Sequence, residues 1–505
     1  MRDNIPSEVS EEKELYPYQE EAIEKIFAEF NKSKEKVDVL FQLPTGGGKT
    51  IIFSEIARKF IEETGKKVLI LTHRIELCGQ TSAALSEIGV KNKIINRDVK
   101  ELYDREEYSC YVAMVETLNN RLNEDDRYLR NIGLVIVDEA HYNSFRKLFK
   151  FFKGSNMLGV TATPLSSNRN LPLNENYDQL IVGHSIKDLI EDGYLSDATT
   201  YTFNVNLRSL KVGTDGDYTI SSLDRLYSLY TMQDRLLAAY QERSAGKKTL
   251  IFNSGIATSV RVYELFKNAG LKVKHLDSTF SSKEREETLQ WFRNTEGAIL
   301  TSVGILTTGF DEPSVETIII NRATRSLTLY HQMIGRGSRR TRKKKHFTII
   351  DLGNNVERLG LWQDYINWQD IFLYPDKYFE KINDRDNQLM VDYHYERPDW
   401  LNDLFANNDP ADEFHMKKTY NRLLEEGEKP KKAVDESIEN HLNQIIRNSE
   451  DYYDALELVD HLKEEIEYRC RIYCSCLHNA TESYSTWLME TYIRKLKNGL
   501  RLEMM

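Results

Sequence analysis

The chain has 505 residues, of which 40% are hydrophobic and 29% charged, and its formal net charge is −11. This composition is typical of a folded protein of about three domains. No apolar run is long enough to indicate a membrane span, and the polar N-terminus does not resemble a signal peptide. The odd number of cysteines argues against a disulfide framework. We therefore expect a cytoplasmic protein without a membrane partner, which could bind nucleic acid only through a local basic strip.

The polar and acidic residues 1–13 predict a disordered tail. The segment Tyr16-Pro-Tyr-Gln19 follows, and it leads into an amphipathic helix predicted from Glu20 to Phe30. Aromatic rings beside a glutamine, shortly before a phosphate-binding loop, could sandwich an adenine while Gln19 reads its edge. A hydrophobic staple at a helix start explains the same residues equally well.

The stretch from Leu43 to Thr50 lies between an apolar run and a predicted helix over Ile51 to Phe60. Strand, glycine-rich turn, Gly-Lys-Thr and helix form the layout of a phosphate-binding loop, although Leu43 stands where that pattern has glycine. The three glycines let backbone N–H groups approach a phosphate, the lysine can reach the β- and γ-phosphates, and the threonine can ligate Mg²⁺. The residues assigned to nucleotide binding are Pro44, Thr45, Gly46, Gly47, Gly48, Lys49 and Thr50.

Four further apolar runs predict short strands that alternate with helical stretches. Such alternation favours a parallel, doubly wound α/β sheet, in which ligands bind at the carboxyl ends of the strands. A polar cluster follows each run, so one nucleotide site could collect them all. The clusters are His73-Arg74, Glu116-Thr117, Asp138-Glu-Ala-His141 and Thr161-Ala-Thr-Pro164.

Asp138 and Glu139 directly follow an apolar strand. Adjacent carboxylates repel each other unless a cation shares them, so Asp138 suits the Mg²⁺ held with Thr50, and Glu139 suits the polarisation of an attacking water. His141 could hydrogen-bond to a second domain and report the nucleotide state. The alternative is an ordinary acidic helix N-terminus, and the upstream Gly-Lys-Thr makes the catalytic interpretation the stronger one.

A second series of strands runs from Lys248 to Ile350 and predicts a second α/β sheet without a phosphate-binding loop of its own. We therefore interpret the two lobes as binding one nucleotide between them. Gln332, Arg336 and Arg339 would make the interface catalytic, because Arg336 and Arg339 would share one face if they lie on a helix. Arginines from the second lobe could stabilise charge on the γ-phosphate and couple hydrolysis to lobe closure.

A basic run extends from Arg339 to Lys345, and it is equally well explained as a nucleic-acid strip and as a solvated loop. Residues 361–505 lack the α/β alternation and contain long charged helical stretches, such as Asp435–Arg447 and Tyr452–Tyr473. Cys470, Cys474, Cys476 and His478 lie close together without a Cys-x-x-Cys pair, so buried thiols are favoured over a zinc site.

The motifs resemble those of the superfamily 2 helicases and translocases, over about residues 14–355. Within that superfamily the segments Leu189–Leu195 and Leu306–Pro313 are similar to those of bacterial RadD-like and XPB-type helicases, but the C-terminus lacks the cysteine-rich zinc modules of RadD. The matching motifs are Tyr16-Pro-Tyr-Gln19, Pro44-Thr-Gly-Gly-Gly-Lys-Thr50, Leu71-Thr-His-Arg74, Asp138-Glu-Ala-His141, Thr161-Ala-Thr-Pro164, Thr307-Thr-Gly-Phe-Asp311 and Gln332-Met-Ile-Gly-Arg-Gly-Ser-Arg339.

The resemblance implies an ATP- and Mg²⁺-dependent motor and assigns roles to the matched residues. Gln19 would read adenine, and Gly309 and Asp311 would line the site between the lobes. Lys49, Thr50, Asp138 and Glu139 would form the hydrolytic centre, opposed by Gln332, Arg336 and Arg339. Coupling would fall to His141, Thr161 and Thr163, and backbone contacts with nucleic acid to the segments around His73, Arg74, Thr117, Ser254 and Thr301.

We predict two tandem RecA-like α/β lobes followed by a mostly helical region that supplies specificity or a protein-partner surface. The expected activity is an ATP-dependent helicase or translocase acting on DNA in preference to RNA. Alternatives are a non-unwinding motor subunit of a restriction or phage-defence complex, an RNA-remodelling ATPase and a nucleotide-switched scaffold. The predicted boundaries are residues 1–13 for the tail, 14–200 for lobe 1, 201–245 for a connector, 246–360 for lobe 2 and 361–505 for the helical region.

Overall fold

The structure is a computed structural model. It describes residues 14–32, 36–99, 101–102, 106–125, 127–307, 310–393, 395–405, 414–477 and 480–505. The predicted tail over residues 1–13 lies outside them, as do Gly309 and His478.

The first lobe is built on a seven-stranded, all-parallel sheet with the order β3-β4-β2-β5-β6-β1-β7. Its central strands are continuous apolar runs, which is typical of parallel strands that are covered by helices on both faces. The strands are β1 (Asp38–Gln42), β2 (Lys67–Thr72), β3 (Asn92–Ile95), β4 (Cys110–Met114), β5 (Ile132–Asp138), β6 (Asn156–Thr161) and β7 (Gln179–Val182).

The second lobe is built on a six-stranded, all-parallel sheet with the order β10-β11-β9-β12-β13-β8. Both predicted parallel-sheet lobes are therefore confirmed. The strands are β8 (Asp197–Thr202), β9 (Thr249–Asn253), β10 (Val273–Leu276), β11 (Ile299–Ser302), β12 (Thr317–Asn321) and β13 (His346–Asp351).

Twenty α-helices surround and extend the sheets in the described part of the chain, and the helical C-terminal region is also confirmed. They are α1 (Pro17–Lys32), α2 (Lys49–Thr64), α3 (Ile75–Glu87), α4 (Val115–Glu124), α5 (Arg146–Phe149), α6 (Ile186–Glu191), α7 (Ile220–Tyr227), α8 (Tyr230–Ser244), α9 (Ile256–Asn268), α10 (Ser282–Asn294), α11 (Leu327–Ile334), α12 (Asn355–Leu359), α13 (Trp368–Leu373), α14 (Pro375–Asp392), α15 (Asp399–Phe405), α16 (Met416–Glu425), α17 (Lys432–Arg447), α18 (Tyr452–His461), α19 (Lys463–Ser475) and α20 (Glu482–Met504).

The hydrophobic core is continuous between the lobes. One cluster of buried apolar residues includes Val39 and Val68 of the first sheet together with Leu250 and Ile318 of the second. Separate clusters cover the opposite face of each sheet, and a fourth fills the bundle of α15 to α20 and includes Cys470. Because the cluster shared by the lobes removes apolar surface from water on both sides, it stabilises the lobes against each other.

Two predicted boundaries differ from the structure. β8 was assigned to lobe 1 but pairs with β13 in the second sheet, from Asp197 opposite His346 onward. Helices α7 and α8 of the predicted connector pack on α9 and share the core of the second sheet. The second lobe therefore begins at β8. The single helix predicted over Tyr452–Tyr473 is divided into α18 and α19 around Leu462.

The segment after the second sheet returns to the first lobe. Trp368, Ile371 and Phe372 of α13 lie in the core on the outer face of the first sheet, and Gln369 Nε2 donates to Leu180 O of β7 at 2.8 Å. Among the described residues, no helix combines the length and apolar character needed to cross a membrane.

Candidate nucleotide-binding site between the lobes

The phosphate-binding loop connects β1 to α2 at the carboxyl edge of the first sheet. β1 and β5 both flank β6, so Thr50, in the first turn of α2, and Asp138, at the end of β5, lie at the same edge of the sheet. Gly46 and Gly48 adopt left-handed φ values of 95° and 80°, which glycine allows at little cost.

The three glycines lie in a crowded loop. A Cβ on Gly48 would lie 2.5 Å from Gln19 Nε2, one on Gly47 would lie 2.8 Å from the Leu43 side chain, and one on Gly46 would lie 2.8 Å from Arg339 Nη1. A side chain would not fit at any of these three glycine positions. The backbone of the loop therefore remains accessible to a close-fitting anion.

Aromatic rings surround the entry to this loop. Tyr18 Oη donates to Gly47 O at 2.9 Å, and Gln19 Oε1 accepts from Tyr16 N at 3.0 Å. Tyr194 packs against Tyr16 and Tyr18, with ring centroids 4.5 and 4.8 Å apart. Tyr194 lies in the segment Leu189–Leu195 noted above, but its contact with Tyr16 and Tyr18 was not predictable, because it follows them about 175 residues further along the chain.

The acidic pair at the end of β5 has an unusual backbone. Glu139 has a φ of 52°, and a left-handed conformation at a non-glycine residue is a strain that is often found at functional sites. Asp138 Oδ1 accepts from Glu139 N at 3.0 Å. Glu139 Oε2 is buried without a hydrogen bond, because the nearby His141 Nδ1, 3.4 Å away, lies 3.0 Å from Thr161 Oγ1.

The charges in the cleft act on one another. Burial, together with the charge of Glu139, raises the pKa of Asp138 to about 7. Burial also acts to raise the pKa of Glu139, but the positive charge of Lys49 and the nearby histidines outweigh it and lower that pKa. Burial lowers the pKa of Lys49 against the opposing effect of both carboxylates. The site therefore holds a lysine and two carboxylates in mutual electrostatic contact.

The second lobe contributes arginines from the segment directly after α11, so Arg336 and Arg339 do not share a helix face. α11 ends at Ile334. A Cβ on Gly335 would lie 2.6 Å from Thr45 Cβ of the first lobe, so the chain turns at the point where the two lobes meet. Arg336 is buried, and its guanidinium donates to Phe310 O and Thr307 O. Burial and the charge of Arg339 lower its pKa to about 10, so it remains charged at neutral pH.

Arg339 is the second-lobe arginine that lies over the phosphate-binding loop. Its Nε donates to Asp311 Oδ1 at 2.8 Å, and its Nη1 lies next to Gly46. Ser338 and Leu195 contact the same glycine. Asp311, which is predicted to line the site between the lobes, therefore pairs with Arg339. Gly309 lies outside the described residues.

Three hydrogen-bonded contacts connect the motif segments across the cleft and along its floor. Gln332 Nε2 lies 3.5 Å from His141 Nε2, and Thr163 Oγ1 donates to Thr328 Oγ1 at 2.8 Å. His141 in turn meets Thr161. The coupling residues named from the sequence therefore form a chain between the lobes, and Thr328, which carries no recognisable sequence signal, completes it.

The predicted nucleic-acid contacts differ in their accessibility. Thr117 is half-buried, and Arg74 Nη1 donates across the cleft to Ile305 O at 3.4 Å. His73 is packed on Tyr142, with neither ring nitrogen hydrogen-bonded. The predicted contact of the Ser254 and Thr301 segments with nucleic acid stays a prediction, and their side chains do not point to solvent. Both are buried within the second lobe, where Ser254 Oγ donates to Asp224 at 2.8 Å and Thr301 Oγ1 accepts from Asn253 at 2.6 Å.

The basic run from Arg339 to Lys345 is not a uniform solvated strip. Lys344 is buried, and its ammonium donates to Val315 O at 2.7 Å and to Gly337 O at 2.8 Å. Arg340, Arg342 and Lys343 are exposed. Part of the run is therefore structural.

The domain matches agree with this geometry. Residues 12–166 match the family described as the type III restriction enzyme res subunit, and residues 229–341 match the helicase conserved C-terminal domain. The chain belongs to the superfamily 2 helicases of the DEAD/DEAH type.

Within that class the chain is homologous to helicases and to motor subunits of restriction enzymes. It is 33% identical over 358 residues to a Saccharomyces cerevisiae protein named as the ATP-dependent helicase IRC3, which covers 67% of this chain and 51% of the yeast protein. It is 24% identical over 382 residues to the Escherichia coli type I restriction enzyme EcoAI endonuclease subunit, covering 67% of this chain and 46% of that subunit. The chain thus spans about half the length of these relatives.

Solved structures share the fold at low identity. A fragment named as an HsdR subunit of a type I restriction enzyme from Vibrio vulnificus aligns with a TM-score of 0.55 and 20% identity, over 69% of this chain and 67% of that one. The type ISP restriction-modification enzyme LlaBIII bound to DNA aligns with a TM-score of 0.50 and 15% identity, over 96% of this chain and 40% of that one. The narrower resemblance to RadD-like and XPB-type helicases stays a prediction.

Proposed function

We propose that this protein is an ATP hydrolase that couples turnover between its two lobes to movement along DNA or to strand separation. One observation carries the proposal: Arg339 of the second lobe lies against Gly46 of the phosphate-binding loop. A charge from one lobe that reaches the phosphate site of the other makes turnover depend on how the lobes are arranged, which is the requirement for a motor.

The residues present fit ATP and Mg²⁺. The glycine loop is closed to side chains, and the buried Glu139 Oε2 has no hydrogen bond. Lys49 and the loop N–H groups would hold the phosphates, and Thr50 and Asp138 would hold the metal. Bound Mg²⁺ would neutralise charge on the phosphates. Such a ligand would also favour the ionised form of Asp138, whose pKa is raised by burial and by repulsion from Glu139.

The chain's own residues would then divide the work. Glu139 would orient the attacking water and accept its proton. Arg339 and Arg336 would stabilise the charge that develops on the γ-phosphate, with Gly309 and Asp311 lining the same side of the cleft. Gln19 and Tyr194 would bind the adenine. The contacts of His141 with Gln332 and Thr161, and of Thr163 with Thr328, would transmit the nucleotide state to the strand-binding surface.

DNA is the preferred substrate in this proposal. The related restriction subunits act in DNA-cutting enzymes by name, and LlaBIII, which aligns over nearly the whole chain, was solved bound to DNA. Backbone contacts by the His73-Arg74 and Thr117 segments would make binding tolerant of sequence. We place the protein in the cytoplasm, which agrees with its five free cysteines.

A non-unwinding motor subunit of a restriction or defence complex is the second candidate. The alignment with LlaBIII includes the C-terminal helical region as well as the motor lobes. In that case α15 to α20 would supply the surface for a protein partner. RNA remodelling is the remaining alternative, since the Asp-Glu-Ala-His motif alone does not distinguish the polymers.

The test is the steady-state ATPase rate measured in parallel without polymer and with single-stranded DNA, duplex DNA, forked DNA and RNA at one low salt concentration. We expect stimulation by DNA and not by RNA, and Lys49→Ala should abolish turnover under every condition. The DNA form that stimulates best separates duplex translocation from unwinding.

The outcomes separate the site from the substrate. Turnover retained by Lys49→Ala would refute the nucleotide-site assignment. Stimulation by RNA alone would replace the substrate while leaving the site intact. Stimulation by duplex DNA without strand separation on a fork would favour the second candidate.

A further inference from the structure

Helix α14 and the segment before it line a groove outside the nucleotide site. The groove encloses a cavity of about 440 Å³ between the end of α12, α13 and one face of α14. Volumes of this size are typical of ligand clefts. None of the functional residues assigned above lines it, so its side chains need another explanation.

The face of α14 that lines the groove is basic. Lys377, Lys381 and Arg385 follow one another at intervals of four residues, which places them in one row along the helix. Lys377 and Lys381 are exposed. The groove lining presents these three cations against two carboxylates, Asp364 and Asp370, and this local excess of positive charge fits an anionic polymer.

The acidic residues in the groove are already engaged. Asp364 Oδ2 accepts from Leu361 N at 2.8 Å, and Asp370 Oδ2 accepts from Asn367 Nδ2 at 2.8 Å. Both carboxylates therefore organise local turns on the opposite wall. Neither carboxylate is paired with Lys377 or Lys381, and both lysines are exposed to solvent.

Aromatic rings accompany the cations. Tyr374 is 52% exposed and Tyr365 is 83% exposed, so both rings are open to solvent at the groove. Lys377 Nζ lies 4.4 Å from the centroid of the Tyr374 ring, so a charge and a stacking surface are presented together. The Tyr378 hydroxyl is buried beside the groove, and it has no hydrogen bond within the described part of the chain.

The groove is attached to both lobes. Its α13 wall is fixed to the first lobe through Gln369 and Leu180, and its α14 wall is fixed to the second lobe through the buried pair Arg358 and Asp386. A polymer bound here would therefore be held by an element that bridges the two parts of the motor.

We propose that this groove binds a single-stranded segment of nucleic acid, with Lys377 and Lys381 at the phosphates and Tyr374 stacked on a base. Positive grooves with exposed aromatic rings are the recurring mode of single-strand binding, because every base has a face to stack and a duplex hides it. The inference rests on the proposed function and adds a strand contact outside the two sheets of the motor.

The test is binding of the full chain to a fluorescent oligo-deoxythymidine of about 20 nucleotides, followed by anisotropy between about 50 and 200 mM salt. We expect the double variant Lys377→Ala, Lys381→Ala to bind roughly tenfold more weakly. The magnitude of the slope of log K against log salt should fall by about 1.4, which corresponds to the loss of two single-strand phosphate contacts. Tyr374→Ala should weaken binding at least about fivefold, and Tyr374→Phe should restore it.

The matched control is Lys267→Ala, Lys283→Ala, which removes the same charge from exposed helical positions of the second lobe. Lys267 also lies over a tyrosine ring, at 5.3 Å from Tyr263, as Lys377 does. This variant should keep the wild-type affinity and salt slope. Melting curves of all variants should coincide, because the substituted side chains are exposed.

The outcomes distinguish this inference from the proposed function. Wild-type protein that binds neither this oligonucleotide nor duplex DNA would refute the proposed function, and binding to duplex DNA alone would refute the groove. Wild-type binding with an unchanged affinity and slope in the Lys377→Ala, Lys381→Ala variant would refute the groove alone. If that variant instead lost binding to a polyglutamate peptide and kept the oligonucleotide, the groove would be a site for an acidic protein segment.

Discussion

Two clusters of buried charge, one between the lobes and one in the C-terminal bundle, contrast in how well they are satisfied. Between the lobes, Glu139 Oε2 and both ring nitrogens of His73 are buried without hydrogen bonds. The pKa of Asp138 is raised to about 7 and that of Arg336 is lowered to about 10, both chiefly by burial. These groups carry the cost of desolvation without full compensation.

The C-terminal cluster has the opposite character. Glu465 accepts from Arg397 through both oxygens, at 2.9 and 2.8 Å, from Arg469 at 2.6 Å and from His441 at 3.3 Å. The other nitrogen of His441 meets the Tyr492 hydroxyl at 2.8 Å. Although burial acts to raise the pKa of Glu465, Arg469 and the other partners bring it well below its ordinary value.

The difference separates a site that awaits a ligand from a site that holds the fold together. Buried polar groups in folded proteins are normally paired, so the incomplete pairing between the lobes leaves capacity for phosphates and a metal. The complete pairing around Glu465 leaves none. The residues of this C-terminal cluster belong to α17, α19, α20 and the segment before α15, and their contacts join these elements into one unit.

The largest effect is expected at Arg339, which belongs to the incomplete cluster. Arg339→Ala should lower the maximal ATPase rate roughly 10³- to 10⁵-fold, the range associated with an arginine that stabilises the transferring phosphoryl group. The affinity for ATP, measured by titration with a fluorescent analogue, should change only a few-fold, because the charge that Arg339 stabilises develops in the transition state.

Its neighbour provides the control. Arg340 is exposed and lies against Gly193 rather than the phosphate-binding loop. Arg340→Ala should keep both the rate and the affinity. Equal losses of rate and ATP affinity in Arg339→Ala would assign Arg339 to ground-state binding and would contradict the transition-state role.

A reciprocal pair of glutamate substitutions compares the clusters directly. Glu139→Gln should lower turnover about 10²- to 10⁴-fold, the usual contribution of a positioned general base, with only a small loss of stability, because the lost attraction to Lys49 is partly offset by relief of the repulsion with Asp138. Glu465→Gln should leave turnover per folded molecule unchanged but cost about 3–5 kcal/mol of stability, since it leaves the buried Arg469 and the half-buried Arg397 without their counter-charge. ATPase rates and denaturant unfolding curves measure both effects.

The crossed design contains its own controls, because each variant is the reference for the other. A loss of stability in Glu139→Gln as large as that in Glu465→Gln would mean that the cleft is a structural ion cluster. A drop in turnover per folded molecule in Glu465→Gln would mean that the C-terminal unit acts on the motor directly. Either result would remove the distinction between the two clusters.

The sequence predicted the parts of the fold in which local pattern and tertiary position agree. Central strands such as β1 and β5 are buried on both faces, so they appear as apolar runs. The strands that escaped prediction, β3, β7 and β8, are all at sheet edges, where one side meets solvent and the apolar run disappears. In β8 only Ala198 is buried.

The candidate site was predictable for a similar reason. Phosphate chemistry requires particular residues at fixed spacing in the first lobe, so Lys49 and Glu139 were identifiable. The position of Arg336 was not, because its burial depends on a turn at Gly335 that is set by contact with Thr45 in the other lobe. Contacts between residues that are distant in the chain, such as Thr163 with Thr328, leave no local pattern.

The smallest predicted effect is a pH dependence confined to the C-terminal bundle. Burial, reinforced by Arg469, lowers the pKa of His441 from 6.5 to about 4. The unfolded chain therefore binds this proton first as the pH falls, so His441 should contribute ~3 kcal/mol of stability that is present above pH 6.5 and is lost progressively towards pH 4. The lowered pKa of Glu465 acts in the same direction at still lower pH.

Hydrogen exchange, corrected for the intrinsic rate at each pH, can locate this loss. Peptides from α17 and α20 should lose protection between pH 6.5 and 4, and His441→Gln, which cannot take up the proton, should flatten that dependence. The exposed His346 in the second lobe gives a control, because His346→Gln should leave the profile of the bundle unchanged. Constant protection in α17 and α20 over this range would show that burial does not hold His441 neutral. The bundle and the cleft would then differ for some reason other than the complete pairing around Glu465.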